Sequence, residues 1–179
     1  YRAEFGRLST SVQMASTFGD WCNLYRRLTG WEIGLAETDD PGLRDVLVYQ
    51  KNEANQEFSK FVRRNYYDWI NNRSKDTPVM SHTLMRTNVF PVVDAHPKTT
   101  LLLIDNFRYD QWRSISSLLR GYYDVALDDF YCAILPTATQ YARNAVFAGL
   151  MPRAIDKLMP RKWLNDNEEG GKNQYEEHF

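Results

Sequence analysis

The chain has 179 residues, a length that accommodates one compact domain or two small ones. Its 22 basic and 23 acidic residues leave a net charge of −1, which excludes a global positive field for holding duplex nucleic acid or an anionic membrane. The 43% hydrophobic content excludes a disordered chain. The longest aliphatic run, Leu101–Ile104, is too short to span a membrane. The two isolated cysteines favour a reducing, cytoplasmic location.

The first half of the chain predicts helices. Ser16 or Thr17 is a candidate cap for a helix that begins at Phe18, and Asp39 or Asp40, in the turn 38–42, is a candidate cap for a second helix. Apolar positions recur at steps of three and four residues in both, as in Trp21, Cys22, Tyr25, Leu28 and Leu35, and then Leu43, Val46, Leu47, Ala54, Phe58, Phe61 or Val62, and Trp69. We expect a helical bundle domain at 1–77, arranged as an antiparallel hairpin or a three-helix bundle.

After the polar cluster 71–78 the pattern changes. Residues 99–105 form a short apolar run without alternation, typical of a strand buried on both faces of a parallel sheet. Residues 122–127 and 130–135 also resemble strands, whereas 109–120 (through Ile115, Leu118 and Leu119) and 140–147 resemble helices that end at Gly121 and Gly149. The expected fold class is therefore α/β with a helical bundle, and 78–179 is the expected α/β domain.

Two loops follow predicted strands, where open α/β sheets bind ligands. The first carries Asp105, Asn106 and Arg108, and the second carries the stretch Leu-Pro-Thr-Ala-Thr, ending at Thr139, with Arg143 one helical turn later. A threonine hydroxyl is a poor nucleophile unless a base or a metal activates it. A cation held partly by Asp105 is the simplest way to activate the hydroxyl here. The structural alternatives are a helix cap for Asp105 and Thr139, a turn residue for Asn106, a surface charge for Arg108 and an ion pair for Arg143.

These motifs resemble a known family. The sequence is similar to the PglZ branch of the alkaline phosphatase superfamily at two motifs. The first is a strand followed by Asp-x-x-Arg, and the second is Leu-Pro-Thr-x-Thr followed by an arginine and a Phe-x-Gly turn. The helical part, with Gln-Lys-Asn-Glu-Ala-Asn at 50–55 and Pro-Val-Met-Ser-His-Thr at 78–83, resembles the central region of PorX-like response regulators of the type IX secretion system. In such regulators a receiver domain precedes a helical bundle and then the PglZ domain.

The resemblance implies a zinc-dependent phosphodiesterase that acts on nucleotides or oligonucleotides. It assigns Asp105 as a metal ligand and Thr139 as nucleophile and metal ligand, with Thr137 as the less favoured nucleophile. It also implies two zinc ions, attack by a zinc-activated Thr139 alkoxide and a covalent threonyl-phosphoryl intermediate. The family's remaining Asp and His ligands lie later in its chain, and nothing after Asn165 matches them. We therefore expect these 179 residues to be an inactive fragment of an active parent.

A second function of a different class also fits the sequence. In this second interpretation, the chain is a non-catalytic regulatory interaction and dimerisation module, and the bundle transmits a signal from a receiver domain. The resemblance implies regulatory partners such as a sigma factor or a histidine kinase, a possible homodimer and no membrane partner.

Overall fold

The computed structural model describes residues 2–36 and 40–179, with side chains from Phe5 onward. Within these residues the α-helices are α1 (Arg2–Met14), α2 (Phe18–Ala36), α3 (Pro41–Ile70), α4 (Phe90–Ala95), α5 (Tyr109–Leu119), α6 (Thr139–Ala148) and α7 (Pro152–Leu158). A π-helical turn, Met85–Val89, precedes α4, and two 3-10 turns, Gly171–Asn173 and Glu176–His178, follow α7. No described helix is both long and apolar enough to cross a bilayer.

The helices belong to two compact units. The first unit comprises the residues up to Thr77 together with Leu103–Asp128, and the second comprises Pro78–Leu102 together with Asp129–Phe179. Each unit is thus built from two separate stretches of the chain. The expected division into domains 1–77 and 78–179 stays a prediction.

In the first unit, local capping sets where α2 and α3 begin. The backbone N–H of Asp20 donates to Thr17 Oγ1 over 3.1 Å, and the Asp20 carboxylate accepts from the backbone N–H groups of Ser16 and Thr17. These hydrogen bonds to the carboxylate lower the pKa of Asp20. Asp40 caps α3 by accepting from the N–H groups of Gly42 and Leu43, whereas Asp39, the other candidate, lies outside the described residues.

An aromatic cluster joins α2 to α3. The Trp21 ring lies 5.3 Å from the Phe58 ring and 5.9 Å from the Phe61 ring, and Phe61 lies 5.5 Å from Trp69. Helix α1 packs against both α2 and α3, so the first unit contains the three-helix arrangement. The apolar spacing of the sequence identifies the buried face of α3, where Leu47, Ala54, Phe61 and Trp69 are buried and Val46 is exposed.

Helix α5 packs against α2, but the leucine spacing of α5 does not predict which of its residues are buried. The Tyr109 ring lies beside that of Tyr25, with centroids 5.9 Å apart and planes tilted by 39°, and Ser116 is buried. The indole N–H of Trp112 donates to the Asp128 carboxylate over 3.1 Å. Leu118, expected on the buried face of this helix, is instead 72% exposed.

The expected α/β sheet is wrong: the described residues contain helices and no β-strand. Residues 99–105 and 122–127 are exposed and adopt no strand within the described structure. The sole β-pairing recorded within 130–135 is an isolated parallel bridge between Met80 and Cys132. A strand requires a neighbour for its backbone N–H and C=O groups, and a short apolar run does not specify that neighbour.

The bridge at Cys132 organises the second unit. The N–H of Cys132 donates to Val79 O over 2.8 Å, and the N–H of Ser81 donates to Cys132 O over 3.2 Å. The N–H of Ile134 then donates to the Ser81 hydroxyl over 3.1 Å. Met80, Ser81 and Ile134 are fully buried, so this pairing fixes the segment that leads into α6.

We expect Phe61→Ala to lower the free energy of unfolding by about 3–5 kcal/mol, because it leaves a cavity within the aromatic cluster. Tyr49→Ala is the matched control on the same helix, since Tyr49 is 67% exposed, and should change stability by less than about 0.5 kcal/mol. Denaturant titration followed by circular dichroism measures both. Equal effects would contradict the packing described.

We expect Ser81→Ala to destabilise the second unit by about 1–3 kcal/mol, because the buried N–H of Ile134 loses its acceptor. Thr100→Ala, at an exposed hydroxyl in the same unit, is the control and should have little effect. Thermal melting compares the two variants. A Ser81→Ala variant as stable as the control would show that this hydrogen bond is not needed.

Candidate functional site

Helix α6 presents the predicted nucleophile. Thr139 is the first residue of α6 and is half-buried, and Thr137 lies in the exposed loop before it. Ala138 occupies the cap position in an extended conformation and provides no side-chain acceptor. The helix therefore begins with backbone N–H groups that no cap side chain covers, which is the arrangement that favours an anion.

The far end of α6 is fixed by a glycine. Gly149 ends the helix with φ 63°, in the left-handed region that glycine adopts without strain. A Cβ placed on Gly149 would lie 3.9 Å from the carbonyl oxygen of His82, so the 80–83 turn packs beside this end of the helix. Burial, followed by the charge of Arg86, lowers the pKa of His82 and favours its neutral form.

Arg143 lies one turn after Thr139 on the same face of α6. Its Nε donates to the carboxylate of Glu176, and about a quarter of each side chain is exposed. The predicted phosphate contact is therefore engaged in a partly buried ion pair, the alternative that the sequence left open. Glu176 is 33 residues away in the chain, and no sequence spacing points to it.

Asn144, next to Arg143, is fully buried. Its amide group donates to Gln140 O over 2.9 Å, to Lys172 O over 2.8 Å and to Asn173 Oδ1 over 3.3 Å. The bonds to Lys172 and Asn173 attach residues 171–179, which we call the α6 strap, to the helix. Sequence reasoning missed Asn144, because a buried asparagine in a helix carries no signal of its partner.

The other predicted site residues lie in the first unit, before α5. Asp105 is exposed and its Oδ1 accepts the N–H of Asn106 over 2.9 Å. Asn106 adopts φ 56°, a left-handed turn conformation that asparagine tolerates. Asp105, Asn106 and Arg108 thus share one loop, whereas Thr139 and Arg143 belong to the second unit.

Arg108 is also paired with a carboxylate. Its Nε and Nη2 donate to the two carboxylate oxygens of Asp110 over 3.0 and 2.8 Å. This bidentate contact raises the pKa of Arg108 and lowers that of Asp110. Both groups lie at the surface, so water screens the interaction.

The described residues do not fit a two-zinc site. Zinc takes about four nitrogen, sulfur or oxygen ligands, and no group of three or more His, Cys, Asp or Glu side chains in the described ranges could hold a metal ion. Asp105 and Thr139 contribute one carboxylate and one hydroxyl. These two donors leave the coordination of even a single zinc ion incomplete.

Two protein-family models match the chain. Residues 1–70 match the PorX response regulator linker domain, and residues 84–179 match the BREX system PglZ alkaline phosphatase-like domain. The first match covers α1–α3, and the second covers all five predicted site residues. No curated protein matches the sequence. Since the second match spans more than half of the chain, the chain belongs to the PglZ family of alkaline phosphatase-like domains, here preceded by a PorX-type response regulator linker.

Proposed function

We propose that the chain is part of a response regulator of type IX secretion whose PglZ domain hydrolyses phosphodiesters of nucleotides or oligonucleotides. The observation that carries this proposal is the PglZ match, which includes Asp105 and Thr139. The position of Thr139 at the uncapped start of α6 supports it, because uncapped N–H groups and the helix dipole favour a phosphoryl group there.

In the proposed reaction, Thr139 Oγ1 gives up its proton and forms a bond to phosphorus, while the bond from phosphorus to the leaving oxygen breaks and that oxygen takes up a proton. Water then hydrolyses the threonyl-phosphoryl intermediate and restores the hydroxyl. Asn106, Arg108 and Arg143 are the proposed contacts to phosphate oxygens, since amide and guanidinium N–H groups donate to such oxygens. Arg143 shares the face of α6 that carries Thr139, which suits this role.

We propose that the remaining metal ligands come from outside residues 1–179. One carboxylate and one hydroxyl do not satisfy the coordination of a zinc ion. The implied zinc pair is therefore proposed for a polypeptide that brings further Asp and His donors. A sigma factor and a histidine kinase are the proposed regulatory partners of that polypeptide.

A specific observation favours the non-catalytic module as the second candidate. Both predicted phosphate-binding arginines are already paired with carboxylates, Arg108 with Asp110 and Arg143 with Glu176. Large apolar side chains in residues 101–104 and 122–127 are exposed, and exposed apolar surface is typical of interaction sites. A homodimer or a heterologous regulatory complex would use such a surface.

We expect residues 1–179, purified and dialysed against a weak chelator, to retain less than one zinc ion per chain. The physical reason is the shortage of donors among the described residues. Inductively coupled plasma mass spectrometry measures the metal content, with protein concentration from amino-acid analysis. Two zinc ions retained per chain would contradict the expectation.

In a polypeptide that carries this chain and the remaining ligands, Thr139→Ala should lower phosphodiester turnover by about a thousandfold or more while substrate still binds. Thr137→Ala is the matched control and should retain turnover within about threefold. Hydrolysis of a chromogenic phosphodiester and a binding titration give the two measurements. If Thr137→Ala is inactive and Thr139→Ala is active, the nucleophile is misassigned; if both stay active, the catalytic proposal fails and the module is favoured.

A further inference from the structure

The ion pair between Arg143 and Glu176 joins two kinds of structure. Arg143 belongs to α6, the helix that also carries Thr139, whereas Glu176 lies in the short 3-10 turn Glu176–His178 of the α6 strap. A guanidinium holds a carboxylate and a phosphoryl group through the same N–H donors. Glu176 therefore uses donors of Arg143 that an anionic ligand would need.

The strap is attached to α6 at points other than Glu176. Asn144 donates to the backbone carbonyl of Lys172, and the Lys172 ammonium donates to Leu164 O over 2.8 Å. That ammonium also lies 5.0 Å from the centre of the Trp163 ring. These contacts do not involve Arg143, so the strap has an anchor at Lys172 that is separate from the contact at Glu176.

Two contacts hold the Glu176 end of the strap: the ion pair with Arg143, and the Phe179 ring, whose centre lies 6.3 Å from that of Trp163. About a quarter of each side chain of the ion pair stays exposed, so water still reaches the two charges. The 3-10 turn around Glu176 is a single turn of three residues with poorer hydrogen-bond geometry than an α-helix. Another anion that satisfies the same donors of Arg143 can therefore replace Glu176 if this end of the strap moves away.

We propose that the α6 strap is an autoinhibitory segment whose Glu176 carboxylate occupies Arg143 in place of a phosphoryl group. A phosphate-bearing ligand and the closed strap then compete for the same guanidinium. Binding of the ligand removes one of the strap's attachments, so the whole strap, including the anchor at Lys172, opens more often. The proposal rests on the proposed role of Arg143 as a phosphate contact. Thermodynamic linkage requires that a change that opens the strap strengthens phosphate binding, and that phosphate binding favours the open strap.

Trypsin cleavage after Lys172 measures opening, because the Lys172 side chain is buried while the strap is closed. Glu176→Gln removes the charge but keeps the length of the side chain, and should increase the rate of release of peptide 173–179 by about threefold or more. Glu177→Gln is the matched control: the adjacent carboxylate is 86% exposed, so its loss should leave that rate unchanged. Mass spectrometry identifies the peptide.

Inorganic phosphate is the ligand probe, used with the unaltered chain. Phosphate should accelerate cleavage after Lys172 with a saturable dependence, whereas sodium chloride at equal ionic strength should have a smaller effect without saturation. In a separate binding titration, Glu176→Gln should bind phosphate about threefold more tightly than the unaltered chain, and Arg143→Gln in that background should remove the gain.

Two results would overturn the proposal. The first is a Glu176→Gln variant cleaved no faster than Glu177→Gln, which would show that the ion pair does not hold the strap. The second is equal cleavage of the unaltered chain in phosphate and in chloride, which would show that phosphate does not compete. Neither readout uses catalysis, so failure of the proposed reaction is distinguishable from failure of the strap.

Discussion

The buried amide of Asn144 is the interaction on which the second unit's arrangement around α6 depends. A buried amide donor costs free energy unless it is paired, and this one is paired with its own helix at Gln140 and with the strap at Lys172 and Asn173. The neighbouring Arg143 is thereby held where Glu176 reaches it. The amide N–H group of a buried asparagine and the guanidinium of a predicted ligand-binding arginine are thus adjacent in sequence and both contact the strap.

The helical part of the fold was predictable because its signals are local. Threonine and aspartate caps lie within three residues of the N–H groups that they satisfy, and apolar residues at steps of three and four mark the buried faces of α2 and α3. The sheet was wrongly predicted because pairing is not local. Leu101–Ile104 has the composition of a buried strand, yet composition does not state which segment lies beside it, and in the described structure those side chains are exposed.

The contacts of the candidate site also divide into local ones, which the sequence can predict, and distant ones, which it cannot. Thr139 at a helix start follows from the Pro-Thr-x-Thr stretch, and the Arg108 to Asp110 contact spans two residues, so both are within reach of sequence reasoning. The partner of Arg143 lies 33 residues away and that of Ser81 lies 53 residues away. Such contacts depend on how the chain folds back, and a lone arginine or serine carries no information about that path.

The two paired arginines differ in what an incoming anion must displace. Asp110 and Arg108 are two residues apart, and their side chains are 28% and 63% exposed, so exchanging that carboxylate for a phosphate moves one side chain. Glu176 is partly buried and belongs to a strap anchored at Asn144, so the same exchange at Arg143 also moves backbone. An anion that binds at Arg108 alone therefore leaves the strap unchanged. In the proposed strap mechanism, occupation of Arg143 couples ligand binding to the conformation of residues 171–179, because Arg143 and the contacts of Asn144 with the strap lie on the same helix, α6.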